Sequence, residues 1–436
     1  QAGSDLAQVR TRATPTGSNY WLYGQKIFIT YGEHDMADNI VHLVLARTPT
    51  APEGVKGISL FIVPKFLVNG DGSLGKRNDV WCSSIEHKLG IKASPTAVLI
   101  YGDGKGEVGE GAIGYLVGEE NRGLEYMFVM MNSARFSVGM QGVALAERAY
   151  QKAAAFAKER VQSRDVAGSS GPVTIVNHPD VRRMLMTMRA LTEGARALAC
   201  VAAAASDAGH LHADPEVRRQ NMAFYEFLVP IVKGWSTEMS VDVASIGVQV
   251  HGGMGFVEET GAAQYYRDAR ILPIYEGTTA IQANDLIGRK TARDGGAFAK
   301  SVIGSVHETE RALAAAASGS ADLAAIRNAL ADGAAALERA VDFVVANSRS
   351  DVRAVYAGSV PYLKLCGIVL CGWQMARAAL AAQRMLAAGE GDAAFLKAKI
   401  GTARFFADHI LTGAAGISAS ICAGAAGVLA LAEEQF

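Results

Sequence analysis

The spacing of apolar residues changes abruptly at Glu119, and this change limits the folds open to the chain. Before it, short apolar runs at 40–46, 57–64 and 97–101 alternate with clusters of glycine and proline, a pattern typical of strands joined by turns. After it, apolar residues recur at helical spacing, first over 123–160. Strands that follow one another without intervening helices favour an antiparallel sandwich or barrel. We therefore predict an α+β multidomain protein, in which an antiparallel β-barrel or sandwich is followed by an α-helical bundle and a C-terminal helical extension.

The predicted domain boundaries follow from the same pattern. We expect a β-domain at 1–118, a helical domain at 119–293 and a helical extension at 294–436. In the β-domain, residues 20–30 are predicted to form a hairpin-like pair of strands around Gly24.

Long helices are predicted at 123–160, 178–208, 216–250 and 276–293. The Ala-rich extension is expected to add about four more, because alanine is a good helix former. Breaks between them are predicted near Ser318, Ser348 and Gly389. The apolar stripes of the extension are expected to pack on the helical domain.

The balance of charge excludes several classes of partner. With 42 basic and 43 acidic residues, the 436-residue chain has a formal net charge of −1 and no signature of nucleic-acid or anionic-membrane binding. Five cysteines are scattered without a CxxC spacing, which predicts reduced thiols in a cytoplasmic protein and no metal site. The segment 410–432 is uncharged and long enough to span a bilayer, but Ala, Gly and Ser dominate it. We predict a closely packed buried helix there and no membrane span.

Glu276 is the leading candidate for a catalytic side chain. It lies on a short connector after Pro273, which stops a preceding helix, and before a helix that Thr279 and Gln282 are predicted to open as a capping box. Gly277 beside it would let a ligand approach the backbone closely. Two interpretations remain open: a carboxylate acting as a general base, or an acidic residue that stabilises a helix N-terminus.

Two further stretches are candidates for ligand binding. The first combines Gly3-Ser4-Asp5 with the strand Phe28-Ile29-Thr30, which would line a flat aromatic ligand or form an ordinary loop and core strand. The second, 249–255, follows a long apolar helix and holds three glycines in four residues, more than a helix C-cap requires. Its spacing is not GxGxxG and no βαβ unit surrounds it, so a Rossmann site is excluded. One glycine is assigned to helix termination and the others to close approach of a ligand.

Polar residues also occur at the middle and the end of one predicted helix, at 132–135 and 160–162, about 25 residues apart. The arginines among them are either solvated or salt-bridged, or they bind anionic groups at the two ends of a cleft. His178 and His251 are predicted to be structural residues rather than ligands.

Seven short motifs, in this order, resemble the acyl-CoA dehydrogenase family. They are QAGSDL from Gln1, GQKIFIT from Gly24, HKLGIKASPT from His87, GEENRGL from Gly118, ERVQ from Glu159, HGGMGF from His251 and YEGT from Tyr275. The long extension and the segment YGEHDM from Tyr31 resemble the subfamily that includes 3-methylmercaptopropionyl-CoA dehydrogenase and mycobacterial fatty acyl-CoA dehydrogenases. The family's N-terminal helical domain has no counterpart in this sequence, so we expect this polypeptide alone to be inactive or only weakly active.

The resemblance implies a chemistry of the fatty-acid β-oxidation type. FAD would be stacked between the β-domain and the helical domain, with an acyl-CoA thioester beside it. Glu276 would remove the α-proton while the β-hydride passes to flavin N5, giving a trans-2-enoyl-CoA, and electron-transferring flavoprotein would accept the electrons. A dry site must stabilise the developing enolate, and the family uses for this the backbone N–H of the catalytic glutamate and a flavin ribityl hydroxyl.

The resemblance also implies the binding residues and the assembly. The residues that would contact FAD are Gly3, Ser4, Phe28, Ile29, Thr30, Thr278 and Thr279. Those that would reach the FAD of a neighbouring subunit, and so imply a homodimer, are Arg160, Gln162, Gln249, Val250, His251, Gly252 and Gly253. Those that would hold the CoA thioester arm are Ser4, Ser94, Asn132, Arg135 and Gly277, with Asn132 standing where many members have Asp. Two alternatives stay open: a flavin-binding relative without dehydrogenase activity, and an acyl-CoA oxidase.

Overall fold

The computed structural model describes residues 2–317 and 319–436, and the chain forms two compact units. The first unit extends to Ser133 and the second is Ala134–Phe436, so the boundary falls inside a long helix. Each unit has an apolar core of its own. Gln1 of the first motif and Ser318, near which a helix break was expected, lie outside the described residues. The division of the helical part into a domain and an extension remains a prediction.

The first unit is built on antiparallel strands. Their bounds are β1 Arg12–Thr16, β2 Asn19–Thr30, β3 Val41–Ala46, β4 Ser59–Pro64, β5 Phe66–Val68, β6 Leu74–Arg77, β7 Val80–Ile85, β8 Thr96–Tyr101 and β9 Ala112–Leu116. Seven of them form one sheet in the order β3-β4-β9-β2-β8-β7, with β1 paired to β2, while β5 and β6 form a separate ribbon. These named strands pair antiparallel, as expected. Over the described residues the sheet is an open path rather than a closed barrel.

β2 is one continuous strand, and the hairpin expected around Gly24 is wrong. The tight turn lies earlier, between β1 and β2 at Gly17, whose φ is +60°. Gly24 lies instead where β2 changes partner, from β9 over 20–22 to β8 over 24–30. Its φ of +137° is accessible to glycine, and a Cβ there would come within 3.2 Å of the Cα of Thr11. The glycine therefore permits close approach of two backbones and does not mark a turn.

The second unit is helical. The helices are α1 Gly123–Glu159, which begins in the first unit, α2 Pro179–Leu211, α3 Pro215–His251, α4 Ala262–Ala269, α5 Thr279–Ile287, α6 Ala297–Ala316, α7 Ala321–Asn347, α8 Val352–Ala357, α9 Ser359–Ala388, α10 Ala393–His409, α11 Ala414–Ala423 and α12 Ala425–Val428. A π-helical turn, Gly288–Ala292, continues α5. Five of the helices in the described residues begin at a side chain that accepts a hydrogen bond from the first turn, namely Asp214, Thr278, Ser320, Asp351 and Asp392.

The three long helices expected between residues 123 and 250 are confirmed to within a few residues at each end. The helix expected at 276–293 begins later, at Thr279, because the backbone before it takes left-handed conformations. The breaks expected near Ser348 and Gly389 are confirmed. Beyond residue 294 the described chain holds more helices than the expected four, since proline, glycine and aspartate divide the Ala-rich sequence into shorter pieces.

Helix α3 runs through the core of the second unit, and small residues allow its neighbours to approach closely. A Cβ on Gly142 of α1 would lie 2.5 Å from the carbonyl oxygen of Ser236, and one on Gly367 of α9 would lie 2.4 Å from the ring of Trp235. Helices α9 and α10 of the extension thus share one apolar core with α1, α2 and α3. The expected packing of the extension on the helices before it is confirmed.

Two helical stretches are long and apolar enough to cross a membrane by length and composition, Ser359–Ala388 and Ala393–Ala423. The most apolar window of the first is 78% buried inside the unit, as in the core helix of a water-soluble protein. The single buried helix expected over 410–432 is wrong. A 3-10 turn at Leu411–Gly413 and a break at Gly424 divide this segment. The buried residues in it form one stripe at helical spacing, Leu411, Ala414, Ser418 and Ile421, so only one face packs.

Candidate active site

Glu276 lies on the connector between α4 and α5. The backbone turns tightly here, with the amide of Thr279 donating to the carbonyl oxygen of Pro273 at 3.0 Å. Glu276 has a φ of +53° and Gly277 a φ of +88°. A left-handed conformation costs a glutamate about 1–2 kcal/mol, so surrounding contacts must hold it. The side chain of Glu276 is exposed on the surface of the second unit.

The helix after the connector is capped one residue earlier than expected. The side-chain oxygen of Thr278 accepts from the amide of Ile281 at 3.3 Å, so Thr278 is the N-cap. The hydroxyl of Thr279, the expected cap, donates instead to the Glu238 carboxylate of α3. The side-chain amide of Gln282 donates to the carbonyl oxygen of Gly277 at 3.3 Å. The predicted capping box is therefore wrong, because these two side chains contact α3 and the connector.

Lys233 of α3 lies beneath the connector. Its side chain is fully buried, and its Nζ donates to the carbonyl oxygens of Leu272 at 3.0 Å and Gly277 at 2.6 Å. Burial lowers the pKa of Lys233 to about 8, and the carboxylates of Glu276 and Glu238 oppose that shift. One ammonium thus holds the backbone on both sides of Glu276.

Sequence reasoning missed Lys233. The available signal was a single charged residue inside an uninterrupted apolar run, FLVPIVKGW at 227–235. A lysine that is surrounded by apolar residues in sequence must either reach the surface or find buried acceptors.

A hydrogen bond between two side chains joins the connector to α1. The hydroxyl of Tyr275 donates to the side-chain oxygen of Gln141 on α1. Burial raises the pKa of Tyr275 to about 12, and the charge of Glu276 adds to that shift. Tyr275 therefore stays protonated at neutral pH and remains a hydrogen-bond donor.

Arg135 of α1 faces the same region. Arg135 is buried, and its guanidinium lies 3.5 Å from the carboxylate of Asp285 on α5, which also accepts from Arg289 at 2.6 Å. Burial lowers the pKa of Arg135, whereas the charges of Asp285 and Glu276 raise it. The second unit thus brings together five of the predicted site residues: Arg135, Glu276, Gly277, Thr278 and Thr279.

A second cluster forms where α1 and α3 end. Arg160 follows the last residue of α1, roughly 37 Å from Arg135 along an ideal helix. The ring of Phe156 on α1 stacks on His251 of α3 at 4.5 Å, so Arg160 and Gln162 lie at the same end of the unit as segment 249–253. The Arg160 guanidinium donates to the Gln162 side chain at 3.3 Å, and both residues are exposed.

The histidines near this cluster make structural contacts, as expected. A ring nitrogen of His251 lies 2.7 Å from the carbonyl oxygen of Gly247, and burial lowers the pKa of His251. A ring nitrogen of His178 lies 2.7 Å from the carbonyl oxygen of Gln162. Because the His251 ring is buried, a ligand would reach this residue through its backbone.

The fold itself requires two of the three nearby glycines, and not one as expected. Gly252 ends α3 with a φ of +60°. A Cβ on Gly255 would lie 2.2 Å from the carbonyl oxygen of Val248. Only Gly253 has neither constraint, since no atom lies within 4 Å of its ideal Cβ position.

The remaining predicted residues lie in the first unit. Gly3 has a φ of +56° and, like Ser4, is exposed before a short helical turn at Leu6–Gln8. Phe28 has a φ of +58° and is 68% exposed, within an irregularity of β2 between Lys26 and Ile29. This bulge interrupts the regular alternation of side chains between the two faces of β2.

Two of the residues predicted to hold the CoA arm also belong to the first unit. Ser94 is in the loop before β8, where its amide donates to the carbonyl oxygen of Ile91 and its carbonyl oxygen accepts from Lys88 at 2.8 Å. Asn132 lies on the part of α1 that belongs to this unit. Within residues 2–317 and 319–436, no three His, Cys, Asp or Glu side chains are grouped to hold a metal ion.

Two family models match the chain. "Acyl-CoA dehydrogenase, C-terminal domain" matches residues 121–290, and "Acetyl-CoA dehydrogenase C-terminal like" matches residues 302–432. Among solved structures, the Caenorhabditis elegans ACDH-11 complex with C11-CoA has a similar fold, with a TM-score of 0.70, 22% identity and coverage of 93% of this chain and 62% of that one. Butyryl-CoA dehydrogenase from Megasphaera elsdenii matches with a TM-score of 0.52 and 28% identity over 66% of this chain and 65% of that one.

Sequence relatives extend the match over most of the chain. The chain is 56% identical over 413 residues to 3-methylmercaptopropionyl-CoA dehydrogenase of Ruegeria pomeroyi, covering 94% of this chain and 68% of that protein. It is 38% identical over 423 residues to the broad-specificity linear acyl-CoA dehydrogenase FadE5 of Mycobacterium tuberculosis, with the same coverage of each. The chain therefore belongs to the acyl-CoA dehydrogenase family, FAD-dependent oxidoreductases that act on the CH–CH bond of acyl-CoA thioesters.

Proposed function

We propose that this chain carries the catalytic base of an acyl-CoA dehydrogenase, and that Glu276 removes the α-proton of the thioester to yield a trans-2-enoyl-CoA. The observation that carries the proposal is the connector, which exposes the Glu276 carboxylate. Lys233 of α3 and Gln282 of α5 hold its backbone, and Gln141 of α1 holds the side chain of Tyr275. A general base must be presented in a fixed position to a weakly acidic proton, and this arrangement does so.

The charges around the connector suit this role. As the proton leaves, negative charge develops on the thioester oxygen and requires nearby donors in a dry site. The resemblance to the family assigns the backbone N–H of Glu276 to this oxygen, and a rigid connector keeps that N–H in place. The positive charges of Arg135 and Lys233 attract the Glu276 carboxylate.

The second cluster has the chemistry to bind part of FAD. An exposed guanidinium at Arg160, the amide of Gln162 and the open backbone at Gly253 suit the diphosphate of a dinucleotide. In the first unit, the exposed ring of Phe28 and the backbone at Ile29 and Thr30 are proposed to contact the flavin. Bound FAD would accept the hydride from the β-carbon.

Thr278 and Thr279 differ in what they can offer to a cofactor. Thr279 is 7% exposed and its hydroxyl is bonded to Glu238, whereas Thr278 is half-buried at the start of α5. Thr278 is therefore proposed as the one whose side chain meets a ligand, with Thr279 contributing through its backbone.

The acyl chain, the partners and the location belong to the same proposal. The similarity to 3-methylmercaptopropionyl-CoA dehydrogenase makes a short thioether acyl-CoA the first substrate to assay, and the similarity to FadE5 makes linear acyl-CoAs the second.

Electron-transferring flavoprotein is proposed as the electron acceptor of a cytoplasmic homodimer. An acyl-CoA oxidase would instead pass its electrons rapidly to oxygen, which stopped-flow reoxidation distinguishes.

The test replaces the base alone. In an intact, flavin-loaded form of the protein, Glu276→Gln keeps the size of the side chain and removes its basicity, so anaerobic bleaching of the flavin by acyl-CoA should slow by about 10²–10⁴-fold. The dissociation constant of the acyl-CoA should stay nearly unchanged. Glu259→Gln, on an exposed turn after α3, is the matched control and should bleach like the wild type. Bleaching of Glu276→Gln at close to the wild-type rate would contradict the assignment.

A further inference from the structure

The cation of Lys233 is placed where a charge is hardest to accommodate. The side chain is fully buried on α3, among core residues that include Ile231, Val232 and Trp235. An ammonium in such surroundings is destabilising unless it donates to strong acceptors. The contacts of this ammonium therefore show what it stabilises.

Both acceptors belong to the connector that carries Glu276. The carbonyl oxygens of Leu272 and Gly277 bracket the residue, at 3.0 and 2.6 Å from Nζ of Lys233. These bonds are charge-assisted, and such bonds are about twice as strong as those between neutral groups. With both ends of segment 272–277 fixed to one atom, the backbone between them has little freedom to leave its left-handed conformation.

Three other charged groups interact with the Lys233 ammonium. They are Glu276 on the connector, Glu238 on α3 and Arg135 on α1. Two carboxylates and one guanidinium leave a net attraction for the ammonium, which supports a charged lysine at neutral pH.

We propose that Lys233 is a positioning residue for Glu276, whose buried ammonium holds segment 272–277 in the conformation that presents the carboxylate to the substrate. The proposal rests on the proposed function of Glu276. It adds that the geometry of the base depends on a residue that lies 43 positions earlier in the chain and is inaccessible to the substrate.

A consequence for pH follows from the burial of the ammonium. Its pKa of about 8 means that Lys233 loses its proton between neutral and alkaline pH. The neutral amine is a weaker donor, so the connector loosens as the pH rises through this value. The rate of flavin reduction should therefore show an alkaline decline that depends on Lys233.

Lys233→Met removes the donors and the charge while it keeps an unbranched side chain of similar length. The rate constant of anaerobic flavin reduction should fall by about 10–100-fold with the acyl-CoA dissociation constant within about threefold of wild type, the range that a misplaced catalytic group causes. The alkaline decline should disappear. Lys290→Met is the matched control, because Lys290 pairs with Glu226 on the same unit, away from the connector, and its variant should keep both the rate and the decline.

A measurement without turnover separates this proposal from the assignment of the base. Hydrogen–deuterium exchange of the amides of 274–279 should accelerate at least about tenfold in Lys233→Met, because local opening of a released segment becomes easier. The same amides in Lys290→Met should exchange as in the wild type. If Glu276→Gln reduced flavin normally, the proposed function would fail while this exchange result would stand.

The wild type provides the test if the Met variant does not fold. Exchange of 274–279, corrected for intrinsic base catalysis, should be faster at pH 9.5 than at pH 7 relative to residues 280–287 of α5. Unchanged relative exchange at pH 9.5, or flavin reduction by Lys233→Met within threefold of the wild-type rate, overturns the proposal.

Discussion

At the scale of single residues, the three glycines of segment 252–255 have three different roles. Gly252 ends α3 with a positive φ of +60°, which favours glycine, and Gly255 passes so close to the carbonyl oxygen of Val248 that no side chain fits. Gly253 has neither a positive φ nor a close neighbour, so the fold does not require a glycine there. We therefore expect that the missing side chain leaves room for a ligand to approach the backbone. Alanine substitutions distinguish these roles.

Gly255→Ala should destabilise the flavin-free protein by about 1–3 kcal/mol, the usual effect of overpacking, because its Cβ would lie 2.2 Å from Val248. Gly253→Ala should leave the melting temperature of the flavin-free protein almost unchanged and weaken FAD binding. Differential scanning fluorimetry with and without FAD measures both effects. A stable Gly255→Ala protein, or a Gly253→Ala protein with unaltered FAD affinity, would contradict this division.

At the scale of elements, a histidine joins α6 to α7. One ring nitrogen of His307 lies 3.0 Å from the carboxylate of Glu310 on its own helix, and the other lies 3.0 Å from Glu338 on α7. The hydrogen bond to Glu310 is the main cause of a raised pKa of His307, and Glu338 adds to it. Both ring nitrogens can donate only in the imidazolium form.

The sign of the resulting pH dependence follows from the raised pKa. A group whose pKa is higher in the folded than in the unfolded state adds stability below the unfolded value of about 6.5, and that stability is lost as the pH rises through the folded value. His307→Gln should therefore lower the urea midpoint at pH 6 and have little effect at pH 8.5. Because the pair is partly exposed, the difference should be on the order of 0.5–1 kcal/mol.

Lys300→Gln is the control for this experiment, because Lys300 pairs with Asp342 of α7 at 2.6 Å and joins the same two helices without an imidazole. Its urea midpoint should differ equally from wild type at both pH values. An equal loss at pH 6 and pH 8.5 in His307→Gln would mean that the imidazolium does not join the two helices.

At the scale of the whole molecule, the prediction concerns assembly. The cluster of Arg160, Gln162 and 249–253 lies at the far end of α1 from Arg135, roughly 37 Å away. A single cofactor that contacts the catalytic glutamate near Arg135 would not also reach Arg160 of the same subunit. This separation supports the proposal that Arg160 contacts the FAD of a neighbouring subunit.

Light scattering should therefore give about twice the chain mass of 45.8 kDa. Co-expression of Arg160→Ala and Glu276→Gln chains should restore about a quarter of wild-type activity, since half of the random dimers have one intact site of two. Each variant expressed alone should be almost inactive. A monomer that binds FAD tightly, or co-expressed chains with no recovered activity, would exclude the arrangement.

Much of the fold could be predicted from local sequence. The change from short runs with turn residues to helical spacing at Glu119 predicted the order of structure, and side-chain periodicity predicted α1, α2 and α3 to within a few residues. Glu276 and Gly277 could be proposed as site residues because their motif is contiguous. These features depend on neighbours within one or two turns of chain, and the sequence contains that information directly.

Only the tertiary structure decided which distant groups meet. Gly24 was interpreted as a turn because pairing of β2 with two different strands cannot be read from the strand itself. Thr279 was expected to cap α5 because the competing acceptor, Glu238, lies 41 residues away on α3. Lys233 was overlooked because its acceptors lie on the connector of Glu276 and not near it in sequence. The sequence determined the order of strands and helices and which carboxylate lies in the contiguous motif, whereas packing of those elements decided what holds that carboxylate in place, since buried polar groups take partners by proximity in space and not along the chain.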